Sequence, residues 1–174
     1  MKYSKNIYLI GPMGTGKTTI GKKLAEYLDL PFLDLDHEIE DRSGAEVAWI
    51  FEKEGEVGFR QRETAMLDEI TQKQGVVLAT GGGAVLAPEN RQMLKGRGLV
   101  VYLSSTLEQL VERTRRDKKR PLLQVDNPGE VLRAMLMARD PLYREVADII
   151  VSARSNRPEK AAKDLAEQLE PYLA

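Results

Sequence analysis

The chain has 174 residues, of which 42% are hydrophobic and 30% charged, and this composition is typical of a folded globular protein and excludes a disordered one. Its formal net charge of −1 gives no overall field that would attract nucleic acid or an anionic membrane, so we expect neither partner. The chain has no cysteine, which excludes disulfides and thiolate metal sites, and no stretch reaches the roughly 18 apolar residues that cross a bilayer. We therefore expect one cytoplasmic domain over residues 1–174.

Short apolar runs alternate with longer helical patterns, which is typical of an α/β protein in which helices cover both faces of a parallel sheet. Three of the predicted strands are continuous apolar runs, as expected where both faces of a strand are buried. In chain order, the predicted strands are 7–10, 32–35, 76–79, 99–103 and 148–151. The predicted helices begin near Lys17, His37, Gly58, Pro88, Leu107, Gly129 and Pro158. The residues expected to be packing residues are Trp49, Phe51, Met135 and Met137.

The strongest motif follows the first predicted strand, where residues 11–19 read GPMGTGKTT and contain the pattern GxxxxGK[ST] of a phosphate-binding loop. The glycines let backbone N–H groups point at phosphate oxygens, and the following helix adds the positive end of its dipole. Lys17 supplies a positive charge to the β- and γ-phosphates, and the Thr18 hydroxyl is placed to bind Mg²⁺. The predicted ATP site therefore includes Gly14, Thr15, Gly16, Lys17, Thr18 and Thr19.

GTPases, kinases and ATP-driven machines share this loop, so other residues must distinguish them. No NKxD sequence that would bind a guanine base is present, which counts against a GTPase. Asp34 and Asp36 lie near the carboxyl end of the second predicted strand, where the alternation of a strand places both side chains on the same side. Ligands bind to an open parallel sheet at this end of its strands. One carboxylate can hold a magnesium-bound water while the other orients and deprotonates an attacking hydroxyl. Asp36 fits the N-cap of the next helix about equally well.

Six sequence blocks in this order resemble the shikimate kinase family: GPMGTGKTT, DLDHEIE, GFRQRE, ATGGG, KKRPLL and ARDPLYREVAD. The resemblance implies a three-layer P-loop kinase fold, with a five-stranded parallel sheet of order 2-3-1-4-5. It also implies a mobile lid at about 113–126 and a substrate-binding region at about 34–62. The implied activity is Mg²⁺-dependent transfer of the γ-phosphate of ATP to the 3-hydroxyl of shikimate, giving shikimate 3-phosphate and ADP in aromatic amino acid biosynthesis. We expect a monomer, because no long exposed apolar helix stands out.

The resemblance also assigns roles to acceptor-binding residues. Asp34 would lie near the magnesium through a water, and Asp36 would hold the shikimate hydroxyls as the catalytic base. Arg60 and Arg139 would grip the substrate carboxylate, a task that suits the bidentate guanidinium. From the sequence alone, an exposed helix arginine is the commoner interpretation of Arg60. Glu63 lies three residues further along and could brace Arg60, and the turn with Gly81 and Gly82 would border shikimate.

The basic segment 113–123 has three interpretations. A solvated surface stretch is the usual one, and the lack of interleaved aromatic residues disfavours nucleic-acid binding. The resemblance favours a lid in which Arg120 stabilises the transferring phosphoryl group and acts as a catalytic residue beside Lys17 and Asp36. Arg113 would stack on adenine, and Asn156 would border it.

Two other functions stay open at this point. The first is another small-molecule P-loop kinase, acting on a sugar acid such as gluconate or on a nucleoside monophosphate. Two arginines and an acid fit a hydroxylated carboxylate better than a nucleotide base. The second is a regulatory module that binds ATP without phosphorylating anything, which the paired acids and the lid arginine disfavour.

Overall fold

The computed structural model describes residues 3–115, 127–153 and 157–173. Within these residues, five strands pair in parallel to form one sheet of order β2-β3-β1-β4-β5. The strands are β1 (Asn6–Ile10), β2 (Phe32–Asp34), β3 (Val77–Ala79), β4 (Gly98–Ser104) and β5 (Ile149–Ser152). The predicted strand order 2-3-1-4-5 is therefore confirmed.

Helices cover both faces of this sheet. The described helices are α1 (Lys17–Leu28), α2 (Leu35–Ser43), α3 (Val47–Thr71), α4 (Pro88–Arg97), α5 (Leu107–Thr114), α6 (Pro128–Val146) and α7 (Pro158–Leu173), with a short 3-10 helix at Ala84–Leu86. None of the helices in the described ranges is both long and apolar enough to cross a membrane.

Alternating side chains of the central strands build two separate cores. From β1, Ile7 and Leu9 point to one face, where they pack with residues of α1 and α7 such as Leu24 and Leu169. Tyr8 and Ile10 point to the other face, which α2, α3, α4 and α6 cover. Because both faces of β1 are buried, its sequence is apolar without alternation, as predicted.

The second strand is shorter than predicted. It ends at Asp34, and Leu35 already begins α2 in place of the predicted start near His37. The Asp34 carboxylate accepts a hydrogen bond from the backbone N–H of His37 at 3.1 Å, so Asp34 is the N-cap of this helix. Asp36 therefore lies in the first helical turn. Both interpretations of Asp36, as the N-cap and as a strand residue alternating with Asp34, were wrong.

Helix α3 begins earlier than predicted and contains a break. Its first part, from Val47 onwards, was missed, and Gly55 interrupts the helix with a φ of 73° and a ψ of −179°. The prediction near Gly58 therefore found only the second part, because a glycine in this conformation separates two helical patterns. Of the four expected packing residues, Phe51 and Met135 do pack against buried residues. The expectation was wrong for Trp49 and Met137, which are 51% and 69% exposed.

Candidate active site

The phosphate-binding loop connects β1 to α1 at the carboxyl edge of the sheet. Gly11 has a φ of 145°, and a Cβ placed there would lie 2.5 Å from the carbonyl oxygen of Leu103 on β4, so glycine is required. The Lys17 side chain is buried and donates hydrogen bonds to the carbonyl oxygens of Gly11 and Pro12 at 2.6 and 2.7 Å. The lysine charge is thus held inside the loop, where it can meet a phosphate.

Thr18 and Asp34 meet across the site. The Thr18 hydroxyl donates to the Asp34 carboxylate at 2.6 Å, and the other carboxylate oxygen caps α2. These two oxygen-bearing groups are hard ligands of the kind that Mg²⁺ takes together with substrate phosphates and water. The residues present therefore fit the magnesium ion that a phosphate-binding loop of this kind uses.

A cavity of about 420 Å³ lies over the phosphate-binding loop and is lined by residues 14–19, together with Arg113 and Pro158. Arg113 on α5 donates to the carbonyl oxygens of Gly14 and Ala153, both at 2.9 Å. It thus joins the loop to the segment that follows β5. Arg120 and Asn156, the other residues predicted to contact ATP, lie outside the described residues, as do positions 116–126 of the predicted lid.

A second, larger cavity of about 930 Å³ adjoins the first. It gathers Asp36 from α2, Arg60 from α3, Arg139 from α6 and the glycine turn after β3. The residues that line both cavities are Thr18, Asp34, Asp36, Gly81 and Gly82. The fold therefore brings the predicted acceptor-binding residues together, directly beside the phosphate-binding loop.

Arg60 is held by two glutamates of its own helix. Its guanidinium donates to Glu63 at 3.0 Å and to Glu56 at 3.3 Å, and its side chain is 19% exposed. The interpretation as an exposed helix arginine was therefore wrong, and the predicted brace by Glu63 is present. Glu63 is fully buried, and this burial raises the pKa of its carboxyl to about 7, against the opposing charge of Arg60 and with a further upward contribution from Asp36.

The glycine turn after β3 is packed too closely for larger residues. A Cβ at Gly81 would lie 3.0 Å from Oδ1 of Asp36, and one at Gly82 would lie 3.3 Å from the backbone nitrogen of Met13 and 3.5 Å from Arg139. A Cβ at Gly83 would overlap the Arg60 guanidinium. Sequence reasoning selected the first two glycines and missed Gly83, although the run of three glycines was visible.

Tyr143 is a second residue that sequence reasoning missed. It is buried on α6, and its hydroxyl donates to the carbonyl oxygen of Gly82 at 2.5 Å. The spacing of four residues from Arg139 was the available signal, because residues four apart share one helical face.

The two adjoining cavities define the class of the protein. One contains a phosphate-binding loop with its lysine and threonine, and the other offers cationic and acidic side chains to a small acceptor. With the parallel sheet of order 2-3-1-4-5, this arrangement is that of a small-molecule P-loop kinase.

Comparisons with known proteins identify the family within this class. The family model described as shikimate kinase matches residues 13–170. Shikimate kinase from Acinetobacter baylyi is 58% identical over 94% of this chain and 89% of its own length, and that from Vibrio campbellii is 53% identical over 98% and 99%. The solved structure of shikimate kinase from Acinetobacter baumannii in complex with shikimate has a TM-score of 0.94 at 53% identity, covering 97% of this chain and 94% of the other. The chain belongs to the shikimate kinase family.

Proposed function

We propose that this protein transfers the γ-phosphoryl group of ATP to the 3-hydroxyl of shikimate, giving shikimate 3-phosphate and ADP for aromatic amino acid biosynthesis. The observation that carries the proposal is the convergence of Arg60, Arg139 and Asp36 on one cavity beside the phosphate-binding loop. Membership of the shikimate kinase family supports the same acceptor.

Shikimate is a small ring with one carboxylate and three hydroxyls, and the acceptor cavity offers complementary groups. Arg60 and Arg139 supply guanidinium groups from two different helices for the carboxylate. Asp36 accepts hydrogen bonds from ring hydroxyls on the side that faces the phosphate-binding loop. Gly81 and Gly82 let the ring approach the backbone closely, because they lack side chains that would fill the cavity.

The reaction is an in-line displacement in which Asp36 takes the proton of the 3-hydroxyl. The hydroxyl oxygen forms a bond to the γ-phosphorus, the bond from the γ-phosphorus to the β–γ bridging oxygen breaks, and ADP leaves with that electron pair. Lys17 lowers the free energy of the transition state by neutralising charge on the phosphate oxygens. Catalysis is therefore mostly positioning and electrostatic stabilisation.

Thr18 and Asp34 would hold Mg²⁺, Thr18 directly and Asp34 through a water. When bound there, the ion would supply positive charge to the β- and γ-phosphates. The hydrogen bond of 2.6 Å between Thr18 and Asp34 keeps both oxygen groups at the same side of the loop. Gly14, Thr15, Gly16 and Thr19 complete the proposed phosphate cradle.

The remaining assignments extend the proposal. Arg113 would stack on the adenine, and Asn156 would border it. Arg120 would stabilise the transferring phosphoryl group from a lid at about 113–126. We propose one domain over 1–174 that acts as a cytoplasmic monomer, since the exposed large apolar side chains, such as Tyr27, Trp49 and Ile150, are scattered over different elements.

The test is ADP release from MgATP in the presence of shikimate, gluconate or AMP, followed with a coupled enzyme assay. We expect release with shikimate alone, its loss when EDTA chelates the metal, and its loss in Lys17→Met, which controls for contaminating kinases. Shikimate methyl ester is the matched acceptor, since it lacks the charge that Arg60 and Arg139 are proposed to bind. Release with gluconate or AMP but not with shikimate would overturn the proposed acceptor, and binding of ATP without release would favour a regulatory module.

A further inference from the structure

Tyr143 joins the acceptor cavity to the core of the protein. Its side chain is 1% exposed, and its ring packs against Tyr102 of β4 with 4.9 Å between the ring centroids. Its hydroxyl reaches the glycine turn and donates to the carbonyl oxygen of Gly82. The ring is therefore fixed by packing, while the hydroxyl touches a residue that lines both cavities.

Arg139, one turn earlier on α6, carries its charge close to the same hydroxyl. Burial raises the pKa of the Tyr143 phenol to about 12, and the positive charge of the Arg139 guanidinium opposes this rise. Arg139 is itself 7% exposed and lies beside Gly82, since a Cβ at Gly82 would be 3.5 Å from Nη1 of Arg139.

We propose that Tyr143 is a positioning residue for the acceptor, because its hydroxyl donates to the Gly82 carbonyl and so holds the glycine turn beside the Arg139 guanidinium. This inference rests on the proposed function. Tyr143 does not line either cavity, and it acts through the two residues that do.

The geometry of the peptide unit explains how the hydrogen bond from Tyr143 to Gly82 affects the acceptor cavity. The peptide between Gly82 and Gly83 is planar and trans, so its carbonyl and its N–H point in opposite directions. A hydrogen bond that holds the Gly82 carbonyl therefore also orients the N–H of Gly83. Glycine residues have wide conformational freedom, and a turn of three glycines needs such an outside contact to keep one conformation.

The hydrogen bond from Tyr143 to Gly82 is expected to affect the binding of shikimate and not the binding of ATP. Lys17 and Arg113 have their own hydrogen bonds to the carbonyl oxygens of Gly11, Pro12, Gly14 and Ala153, and Tyr143 takes part in none of them. Loss of the Tyr143 hydroxyl is therefore expected to weaken shikimate binding and to leave ATP binding unchanged.

The test variant is Tyr143→Phe, which removes the hydroxyl and keeps the ring that packs against Tyr102. Its matched control is Tyr102→Phe, which removes a buried phenol hydroxyl that bonds Asp140 at 2.6 Å and does not line either cavity. We expect Tyr143→Phe to raise the KM for shikimate about tenfold, with the KM for ATP changed by less than about twofold. In Tyr102→Phe both KM values are expected to stay within about twofold of the parent enzyme, although its melting temperature falls.

Direct binding separates positioning from loss of structure. Isothermal titration calorimetry of shikimate needs only folded protein, and we expect the Kd to rise with the KM in Tyr143→Phe. The double variant Tyr143→Phe/Arg139→Lys is expected to bind shikimate less weakly than the product of the two single fold-changes, because both residues lie against Gly82 and their effects are coupled. Equal rises of both KM values, an unchanged shikimate Kd, or fold-changes that multiply in the double variant would each overturn the proposal. Inactivity of the parent enzyme towards shikimate would instead overturn the proposed function.

Discussion

Gly83→Ala tests how the glycine turn controls the position of Arg60. Gly83 has a φ of −97° and a ψ of 6°, which an alanine adopts without backbone strain. The added methyl group would overlap the Arg60 guanidinium, with Cζ at 2.6 Å and Nη1 at 2.7 Å from the new Cβ, whereas ordinary contacts begin at 3.4 Å. The effect of the substitution is therefore a displacement of one side chain.

The size of the effect follows from that displacement. The guanidinium must withdraw by about 1 Å, and a misplacement of this size at a positioning group lowers the reaction rate by about a hundredfold. Loss of a charge-assisted hydrogen bond to the substrate carboxylate is worth about 1.5–3 kcal/mol, which corresponds to a rise in KM of about ten- to a hundredfold. Stability is expected to change by less than about 1 kcal/mol, since the long Arg60 side chain can move and alanine reduces the entropy of the unfolded chain.

Steady-state kinetics measures the reaction rate and the KM values, and thermal unfolding measures the change of stability. We expect a large rise in the KM for shikimate, an unchanged KM for ATP and a melting temperature close to that of the parent enzyme. Gly96→Ala in α4 is the matched control, because a Cβ there meets no atom within 4 Å and the helix tolerates alanine. A variant Gly83→Ala with the parent KM for shikimate would refute either the contact between Gly83 and Arg60 or the role of Arg60 in acceptor binding.

Two further predictions concern carboxylates in the site. Asp36→Asn is expected to lower kcat by about a hundredfold or more while the Kd for ATP, measured by calorimetry, changes little, since only the proton acceptor is lost; equal losses in both would contradict its role as the base. The pKa of Glu63 is about 7 in the folded protein and 4.5 ordinarily. Between these pH values the unfolded chain binds fewer protons than the folded protein, so the free energy of unfolding falls as the pH rises. The fall is up to about 3 kcal/mol. Urea unfolding at pH 5 and pH 8 should show this fall in the parent enzyme and a flatter response in Glu63→Gln, and parallel responses would contradict the raised pKa.

Local sequence was enough for those parts of the fold and site that depend on near neighbours. The phosphate-binding loop is contiguous, so Lys17 and Thr18 could be assigned from a motif, and burial on both faces made the strands visible as apolar runs. The strand order came from the family resemblance, because periodicity does not say which strands pair. The predicted end of β2 was wrong because Asp34 caps α2 and does not continue the strand. The sequence DLD is compatible with both a strand and a helix N-terminus.

Tertiary structure alone decided the contacts between distant parts of the chain. From the sequence alone, Arg60 is interpreted as an exposed helix residue. In the fold, its guanidinium lies against Gly83, which follows β3. Tyr143 and Gly82 are 61 residues apart in the sequence. Their hydrogen bond forms because α6 packs on the face of the sheet that contains Leu78 of β3, next to the glycine turn that follows this strand. Such contacts depend on how whole elements pack, and no local pattern of residues encodes them. The sequence by itself therefore determined the phosphate chemistry of this protein, while packing determined the arrangement of the acceptor cavity.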